Sequence, residues 1–466
     1  MSARSGRAPS EAERRLDEAF VARLWRAQRF RRERLRTADG LPLQVVYPGR
    51  RRGPPGPDFQ DALLVFGGAD LQRGGVEVHL RSADWARHGH DRDPAYAATL
   101  LHVVLWHDAR VPVRRHDGSP VPTLALADYL EAPPAALAAA LPAELPEWPL
   151  AERGACGPDP AGVIQRLEAA GLARFAERQA RYAAALEAQG GPDLLAAGLV
   201  EAAGYGVNRE PARALAARLA AETLRAATGA GRVALEALLL GAAGLLPSQR
   251  GRVPDAPAAA ALETAWARWA AEGISPLAAG AWRFVGIRPV AAPPRRLAGV
   301  AHLLARTPAD RLLADAARAL RTLAPRPAAR ALAAALVVEP DAACYWRDHW
   351  NFGRTSARPL PALLGPERAA EVVVSALLPL LAAWGEALGD EALTAAARAC
   401  YLQHPPAGDN ERLRHMRRQV LGGADRAATG TACRQQGLLH VYATTCGWRR
   451  CGACAVGPGP APVTVE

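Results

Sequence analysis

Two acidic residues and a histidine lie at a spacing that could form a metal site. Asp58 follows the turn sequence Gly-Pro-Pro-Gly-Pro, and Glu77 and His79 lie two residues apart in the later segment GGVEVHL. Carboxylates are preferred ligands of Mg²⁺ and Mn²⁺, and residues two apart in a strand share one face. We therefore predict that Asp58 and Glu77 bind Mg²⁺ or Mn²⁺ and that His79 orients or deprotonates a water molecule beside it.

These residues need neighbouring strands to bring them together. Short β-branched segments separated by Gly, Pro and Asp predict five strands, namely LPLQVVYP, DALLVF, GVEVHL, LLHVVLW and VPTLAL. A hairpin through Gly67 to Gly75 would place Asp58 beside Glu77. We also expect an amphipathic helix from Glu11 to about Arg36 and a helix near Pro94 to Ala98, which together indicate an α+β fold with one mixed sheet.

The order of these elements and acids resembles the PD-(D/E)XK phosphodiesterase superfamily. The resemblance implies a restriction-endonuclease-like mixed sheet flanked by helices over residues 1–130, and hydrolysis of phosphodiester bonds in DNA or RNA. His79 stands where that superfamily usually has Lys, and the chain contains no Lys that could replace it. In the alternative, purely structural interpretation, Asp58 caps a turn and Glu77 pairs with an Arg such as Arg81.

Histidines are concentrated just after this motif. Six of the 11 His residues lie between His79 and His116, and His88, His90 and Asp91 fall within four residues. Imidazole suits Zn, Mn or Fe, so this group could instead serve a Zn- or Mn-dependent hydrolase of small molecules. It could equally line a channel for the phosphates of a bound substrate. We expect His102 and His107, on opposite faces of one strand, to have structural roles.

The chain is basic, and its basic residues are all Arg. The net charge is +11, and residues 1–55 hold 14 Arg against 6 acidic residues. A phosphate-rich partner such as DNA or RNA would explain this excess, and so would a solvated surface in an Arg-rich protein. Ala- and Leu-rich helical periodicity predicts a helical domain over residues 131–425, with Arg288, Arg295 and Arg296 as candidate phosphate contacts.

A cysteine trio lies near the C-terminus, in a predicted tail over residues 426–457 that is followed by a disordered end at 458–466. Cys446, Cys451 and Cys454 have the spacing C-x4-C-x2-C, which would let three thiolates share one Zn or one 4Fe-4S cluster. Some nucleases of the PD-(D/E)XK superfamily hold a 4Fe-4S cluster with such a trio. Their first Cys precedes the nuclease core, whereas this chain has no Cys before Cys156.

The fourth ligand of this predicted site is open. Cys433 is the nearest candidate, but a continuous helix between it and Cys446 would separate the two sulfurs by ~20 Å. Either the helix breaks, for example at Gly437, or another residue supplies the ligand. The alternatives are Cys344, Cys400, His349 and His404.

The sequence predicts a cytoplasmic protein without a membrane partner. The longest apolar runs are shorter than the ~18 residues that a spanning helix needs, and the N-terminal segment is charged rather than apolar. Seven Cys residues, an odd number, fit a reducing compartment better than a disulfide framework.

Several segments together resemble one large bacterial family of unknown function, domain-of-unknown-function family 2851. They are LRTADGLPLQVVYPG, GPDFQDALLVFGG, GGVEVHLRSADWARHGHDRDPAYAATLLHVVLWHD, YWRDHWNFG and QGLLHVYATTCGWRRCGAC. This resemblance implies no activity, so the function is inferred from the residues. They favour a metal-dependent nuclease-like protein, with a non-catalytic nucleic-acid-binding or scaffold protein of the same fold as the alternative.

Overall fold

The computed structural model divides the chain into two compact units, Met1–Leu150 and Ala151–Glu466. The first unit therefore extends beyond the predicted boundary at residue 130, and the predicted cysteine tail falls within the second unit. The structure describes residues 16–52, 55–67, 70–108, 112–141, 160–204, 208–278, 280–284, 287–421, 427–446 and 454–456.

The first unit combines strands with a few short helices. Its helices are α1 (Glu18–Ala27), α2 (Asp84–Arg87) and α3 (Pro134–Ala140), with 3₁₀ turns at Pro94–Tyr96 and Leu126–Tyr129. Its strands are β1 (Leu43–Tyr47), β2 (Arg50–Arg51), β3 (Phe59–Phe66), β4 (Asp70–Arg81), β5 (Thr99–Trp106) and β6 (Thr123–Ala125).

All six strands form one mixed sheet, which confirms the predicted α+β class. The strand order is β1-β3-β4-β5-β6, with β2 also paired to β3. β1, β3 and β4 pair antiparallel, whereas β4, β5 and β6 pair parallel. β5 lies inside the sheet between two parallel neighbours and is almost entirely buried, as expected for such a continuous apolar run.

Two predicted helices differ in the structure. α1 ends at Ala27, well before Arg36, because Gln28 adopts a left-handed conformation at φ 54°. The following Phe30 lies outside the helix; it is buried, forms an isolated β-bridge with Leu130 and stacks on Trp25 of α1 at a centroid distance of 6.0 Å. The helix predicted at Pro94 to Ala98 is a 3₁₀ turn.

The second unit is mainly helical, and its core is formed by Leu, Ala and Val side chains of these helices. Its one described hairpin consists of β7 (His349–Asn351) and β8 (Arg354–Thr355), and Val373–Leu377 is π-helical. The helices are α4 (Pro160–Leu186), α5 (Gly191–Ala203), α6 (Arg209–Arg218), α7 (Ala221–Gly229), α8 (Arg232–Ala242), α9 (Pro257–Ala271), α10 (Pro293–Arg306), α11 (Ala309–Thr322), α12 (Pro325–Leu336), α13 (Pro366–Val372), α14 (Leu378–Ala387), α15 (Glu391–Gln403), α16 (Glu411–Leu421) and α17 (Ala432–Thr444).

α17 packs closely against α4 in the core of this unit. At Gly437, a Cβ atom would lie 2.0 Å from the carbonyl oxygen of Leu167 on α4, so only glycine allows this approach. α17 is continuous through Gly437, and the helix break considered from the sequence does not occur.

One continuous helical stretch, Pro366–Ala387, is long and apolar enough to cross a membrane. However, 72% of its most apolar window is buried inside the protein, where it packs against α15 and α4. Burial among other helices accounts for its apolar sequence without a membrane.

Candidate metal centre

The β3–β4 hairpin brings Asp58 and Glu77 together, as predicted. Asp58 immediately precedes β3, and the next residue, Phe59, pairs with Val76 on β4. The Asp58 backbone N–H donates to Oε2 of Glu77 at 2.9 Å, and the Val78 N–H donates to Oδ2 of Asp58 at 3.2 Å. Each carboxylate is thus fixed by the backbone of the other strand, which leaves the second oxygen of each for other partners.

A close approach of two backbone segments makes this arrangement possible. A Cβ atom on Gly75 would lie 2.3 Å from Cγ of Pro57, so a side chain at this position would displace the turn that carries Asp58. Gly75 therefore determines how closely Asp58 can approach Glu77.

This environment raises the pKa of Asp58. Burial, followed by the nearby charge of Glu77, raises its pKa to about 6, and the Val78 hydrogen bond opposes the shift only in part. Two adjacent carboxylates in a poorly solvated place repel each other unless a cation or a proton lies between them. The pair is therefore suited to hold a positive charge.

Imidazoles from two strands and one turn lie directly beside these acids. His79 on β4 is buried, and its Nδ1 lies 2.8 Å from Nε2 of His102 on β5. Its Nε2 lies 3.1 Å from Nδ1 of His88, which follows α2. Nε2 of His90 lies 3.2 Å from Oε1 of Glu77 and has no hydrogen-bond partner among the described residues, although it is buried.

Three imidazoles lie close together, and one carboxylate adjoins two of them: Nε2 of His79 is next to Nδ1 of His88, and Oε1 of Glu77 is next to Nε2 of His79 and Nε2 of His90. One ring nitrogen from each of the three His residues lies within 4.8 Å of the others, and His79 Nε2 lies 3.7 Å from Glu77 Oε1. Ligands at 2.0–2.1 Å from a tetrahedral ion are ~3.3 Å apart. The measured separations of 3.1–3.7 Å along this set are close to that value.

The surroundings of His79 disfavour the proton-accepting role that the sequence suggested, and that role stays a prediction. Burial, followed by the neighbouring His102, His90 and His88, lowers its pKa to about 2. A base of this strength holds almost no proton near neutral pH, whereas a neutral imidazole is the form that binds metal ions. A neutral His79 beside His88 and His90 is therefore suited to act as a ligand more than as a base.

An aromatic shell holds the other imidazoles in place. The His90 ring stacks on Tyr96 at a centroid distance of 3.8 Å, and Trp85 contacts both His90 and His102 at 5.4 and 5.2 Å. Asp84 braces the turn that carries His88, because it accepts the Arg81 N–H at 3.0 Å through its side chain. These contacts restrict the ring orientations before any ion binds.

An open cleft of about 550 Å³ leads to the exposed edge of the cluster. Glu18 at the start of α1 lines it together with His88, Arg81 and Arg87, and Oε1 of Glu18 lies 4.0 Å from Nε2 of His88. Burial raises the pKa of Glu18, and the nearby Asp84 and Glu77 add to this shift while His88 opposes it. Glu18 is thus a third acid at the site.

Comparison with protein families gives one match: the model of a protein family of unknown function, DUF2851, matches residues 18–410. The chain belongs to the DUF2851 family. The match begins at Glu18 and includes the acids and imidazoles of the cluster. Neither the curated proteins nor the solved structures gave a match.

Two members of the site in this DUF2851 chain were not predicted. His102 was expected to be structural, and it is fully buried, but its contact with His79 was not predicted; the signal was a lone polar residue inside the apolar strand LLHVVLW. Glu18 carried no recognisable signal among the other acids of its segment. Asp91 was predicted beside His88 and His90, but its nearest ionic contact is Arg92 at 3.7 Å, and Glu77 takes the place expected for it.

The predicted phosphate contacts of the second unit need correction. Arg295 is fully buried, and it donates to the carbonyl groups of Trp346, Pro361 and Ala362, so it cannot reach a ligand at the surface. Arg296 is half-buried near Glu371, whose pKa it helps to lower. Of the three, Arg288 alone is exposed.

Cys433 is also unsuitable as a metal ligand. It is fully buried between α17 and α4, its Sγ lies 3.6 Å from the Glu168 carbonyl oxygen, and burial raises its pKa to about 12. A thiol must lose its proton to bind a metal. Cys451 lies outside the described residues, so the Cys446, Cys451 and Cys454 site stays a prediction.

The other residues considered as the fourth ligand of the cysteine site are buried or already have hydrogen-bond partners. Cys344 and Cys400 are buried free thiols. Nδ1 of His349 lies 2.5 Å from Asp348, and Nδ1 of His404 lies 2.7 Å from the Pro405 carbonyl oxygen. Within the described part of the chain, His79, His88 and His90 form the one group of three such ligands that converges.

Proposed function

We propose that this protein is a metal-dependent, nuclease-like hydrolase of phosphodiester bonds in DNA or RNA. The observation that carries the proposal is the convergence of three imidazole nitrogens, next to the adjoining carboxyl groups of Glu77 and Asp58. The buried Nε2 of His90 supports it, because its 3.2 Å contact with Oε1 of Glu77 does not have the geometry of a hydrogen bond, and a bound ion would recover the free energy that this costs.

The donor set favours a transition metal over Mg²⁺. Mg²⁺ prefers oxygen ligands and retains several waters, whereas imidazole suits Zn²⁺, Mn²⁺ and Fe²⁺. Glu77, His79, His88 and His90 would hold the ion. His102 would fix the orientation of His79 through its hydrogen bond to Nδ1, an arrangement common behind metal-binding His residues.

The ion would polarise a phosphoryl oxygen and make a water molecule more acidic. We assign Asp58 as the acceptor of the proton of that water, because it adjoins Glu77 through its backbone N–H. Its pKa of about 6 in the metal-free site makes it a stronger base than an ordinary Asp, and Oδ2 is anchored to the Val78 N–H. Asp58 thus replaces His79 as the proposed base.

The choice of a phosphodiester substrate rests on two features. The hairpin acids and the mixed sheet follow the element order that resembles the PD-(D/E)XK superfamily, and Arg81 and Arg87 flank the cleft with exposed guanidinium groups. Guanidinium groups bind phosphate oxygens with paired hydrogen bonds.

The burial of the cluster favours a second candidate, a non-catalytic nucleic-acid-binding protein stabilised by its metal. Glu77, His79 and His90 are at most 8% exposed, and His88 is the ligand nearest to solvent. A closed site with four protein ligands is typical of structural zinc, whereas catalytic sites keep an open position.

Cleavage assays separate these candidates. We expect labelled DNA or RNA to be cleaved with Mn²⁺ or Zn²⁺, and cleavage to fall at least ~100-fold in Glu77→Gln and His90→Ala. His107→Ala, which changes an exposed His outside the cluster, should cleave like wild type. Metal binding without cleavage would favour the structural centre. Hydrolysis of small esters with intact nucleic acid would favour a small-molecule hydrolase.

A further inference from the structure

The second unit contains a dense group of arginines from four helices, which we name the arginine cluster. It comprises Arg174 and Arg178 on α4, Arg209 on α6, Arg368 on α13 and Arg412 on α16. The positive charges act on one another: Arg178 and Arg209 both lower the pKa of Arg174, and Arg412 and Arg368 lower that of Arg209, in each case after the effect of burial.

The acids around the arginine cluster already have partners. Arg368 donates to Glu371, and Arg213 outside the cluster binds Glu201 at 3.0 Å. Glu177 lies 3.7 Å from Nδ1 of His440. The five arginines of the cluster thus outnumber Glu371, Glu201 and Glu177, the three acids whose charges raise the pKa of Arg174 or Arg209.

Two guanidinium groups on α4 are only partly satisfied within the protein. Arg174 donates to Oε1 of Gln436 on α17 at 2.9 Å. Nη1 of Arg178 is buried, yet it has no hydrogen-bond partner in the part of the chain that the structure describes. Like charges four residues apart on one helix also repel each other. A protein retains such an arrangement at a cost in stability, which an anionic ligand would offset.

Helix ends add to the positive potential of the arginine cluster. Arg209 is the first residue of α6, which has no side-chain cap but carries Glu210 in the same turn, and Arg412 lies in the first turn of α16. The amino end of a helix carries a partial positive charge, so cations are unfavourable there and phosphates are favourable.

We infer that the arginine cluster binds the phosphate backbone of a nucleic-acid strand. Arg174, Arg178 and the exposed Arg181 share one face of α4 and extend over ~10 Å, which exceeds the reach of a single phosphate. Arg209 and Arg412 extend the surface onto two further helices. We choose nucleic acid among polyphosphates because this inference rests on the proposed function. The arginine cluster takes the phosphate-binding role that the sequence predicted for Arg295 and Arg296.

The test measures binding of a fluorescent single-stranded oligonucleotide, DNA or RNA, to the full chain by anisotropy at several salt concentrations. Arg174→Gln/Arg178→Gln is compared with Arg326→Gln/Arg330→Gln, an exposed pair with the same spacing on α12. We expect at least ~10-fold weaker binding in the cluster variant. The slope of log affinity against log salt should decrease by ~1.4, the value for two lost single-strand contacts. The control should stay within ~2-fold of wild type.

Arg209→Gln provides a second variant, because Arg209 is exposed to solvent, although neighbouring groups partly desolvate its guanidinium, and it lies outside the hydrophobic core. It should weaken binding with an unchanged unfolding temperature. Equal affinities of the cluster and control variants would overturn the inference, and so would binding of inorganic polyphosphate but not of the oligonucleotide. Loss of cleavage in Glu77→Gln with retained binding would leave the inference intact, so the two proposals fail separately.

Discussion

At the scale of single residues, burial raises the pKa of Asp58 but lowers the pKa of His79. The pKa of Asp58 rises because burial and Glu77 disfavour its charge, while the pKa of His79 falls because burial and the other imidazoles disfavour a proton. Near neutral pH, this favours a neutral imidazole at His79 beside the closely spaced carboxyl groups of Asp58 and Glu77. A divalent cation satisfies both at once.

Asp58→Asn should stabilise the metal-free protein at high pH. The folded-state pKa of Asp58 lies above the unfolded value, so its contribution to stability is greatest below pH ~4 and decreases as pH rises through about 6. Asn cannot ionise, so the variant does not lose stability as pH rises, and its side-chain oxygen can still accept from the Val78 N–H. We expect a gain of up to ~3 kcal/mol at pH 8 that vanishes near pH 4, measured by urea unfolding with chelator present. A variant that loses stability relative to wild type as pH rises would contradict this origin of the shift.

His102→Ala should weaken metal binding without abolishing it. His102 contacts His79 and not the metal position, so its loss frees the His79 ring, an effect worth ~10–100-fold in affinity. Titration with a competing chelator would measure it. His102→Gln, which keeps a polar group near Nδ1 of His79, should recover part of the affinity. An unchanged affinity in both variants would show that His102 only fills space.

The sequence indicates the acids of the site more readily than its imidazole ligands. Asp58, Glu77 and His79 follow a local motif with strand periodicity, so their convergence could be predicted. The second contact of His79, with His102, depends on the parallel register of β4 and β5, in which Glu77 pairs with His102. A parallel register is a long-range property that no local pattern specifies.

At the element scale, the hairpin and the turn after α2 position the site together. β4 supplies Glu77 and His79, and the crossover from β4 to β5 supplies His88 and His90. The strands could be predicted from β-branched runs, but β4 extends beyond the predicted segment because its amino end pairs with β3 despite two glycines. Tertiary pairing overrides weak local propensity here.

Gly75→Ala should impair the site while leaving the sheet folded. The new methyl group would meet Pro57, so the turn carrying Asp58 must move away from β4. Because Glu77 accepts from the Asp58 N–H, its orientation would change as well. We expect metal affinity to fall by at least ~10-fold with a near-native circular dichroism spectrum.

Gly229→Ala is the control for this substitution, because no atom lies within 4 Å of the position that its new methyl group would occupy and its backbone is helical. It should leave metal affinity unchanged and keep or slightly raise the unfolding temperature. Metal affinity that is equal in both variants would show that Pro57 and Asp58 move without consequence for the ion.

At the scale of the whole molecule, the chain consists of a mixed-sheet unit with the proposed metal centre and a helical unit with the arginine cluster. Composition and periodicity predict this division, since the change from β-branched to Ala-rich sequence is strong. They do not identify which arginines are buried. Arg295 binds three carbonyl groups of its own unit, and nothing in its local sequence distinguishes it from an exposed residue.

X-ray absorption at the metal edge tests the proposed centre most directly. The full chain, reconstituted with one equivalent of Zn²⁺, should show several imidazole ligands at 2.0–2.1 Å with at least one oxygen, distances typical of about four-coordinate zinc. The imidazole signal should disappear in His79→Ala/His90→Ala, while His107→Ala retains it. An oxygen-only shell, or an imidazole signal of equal strength in the double variant, would contradict a centre built on Glu77, His79, His88 and His90.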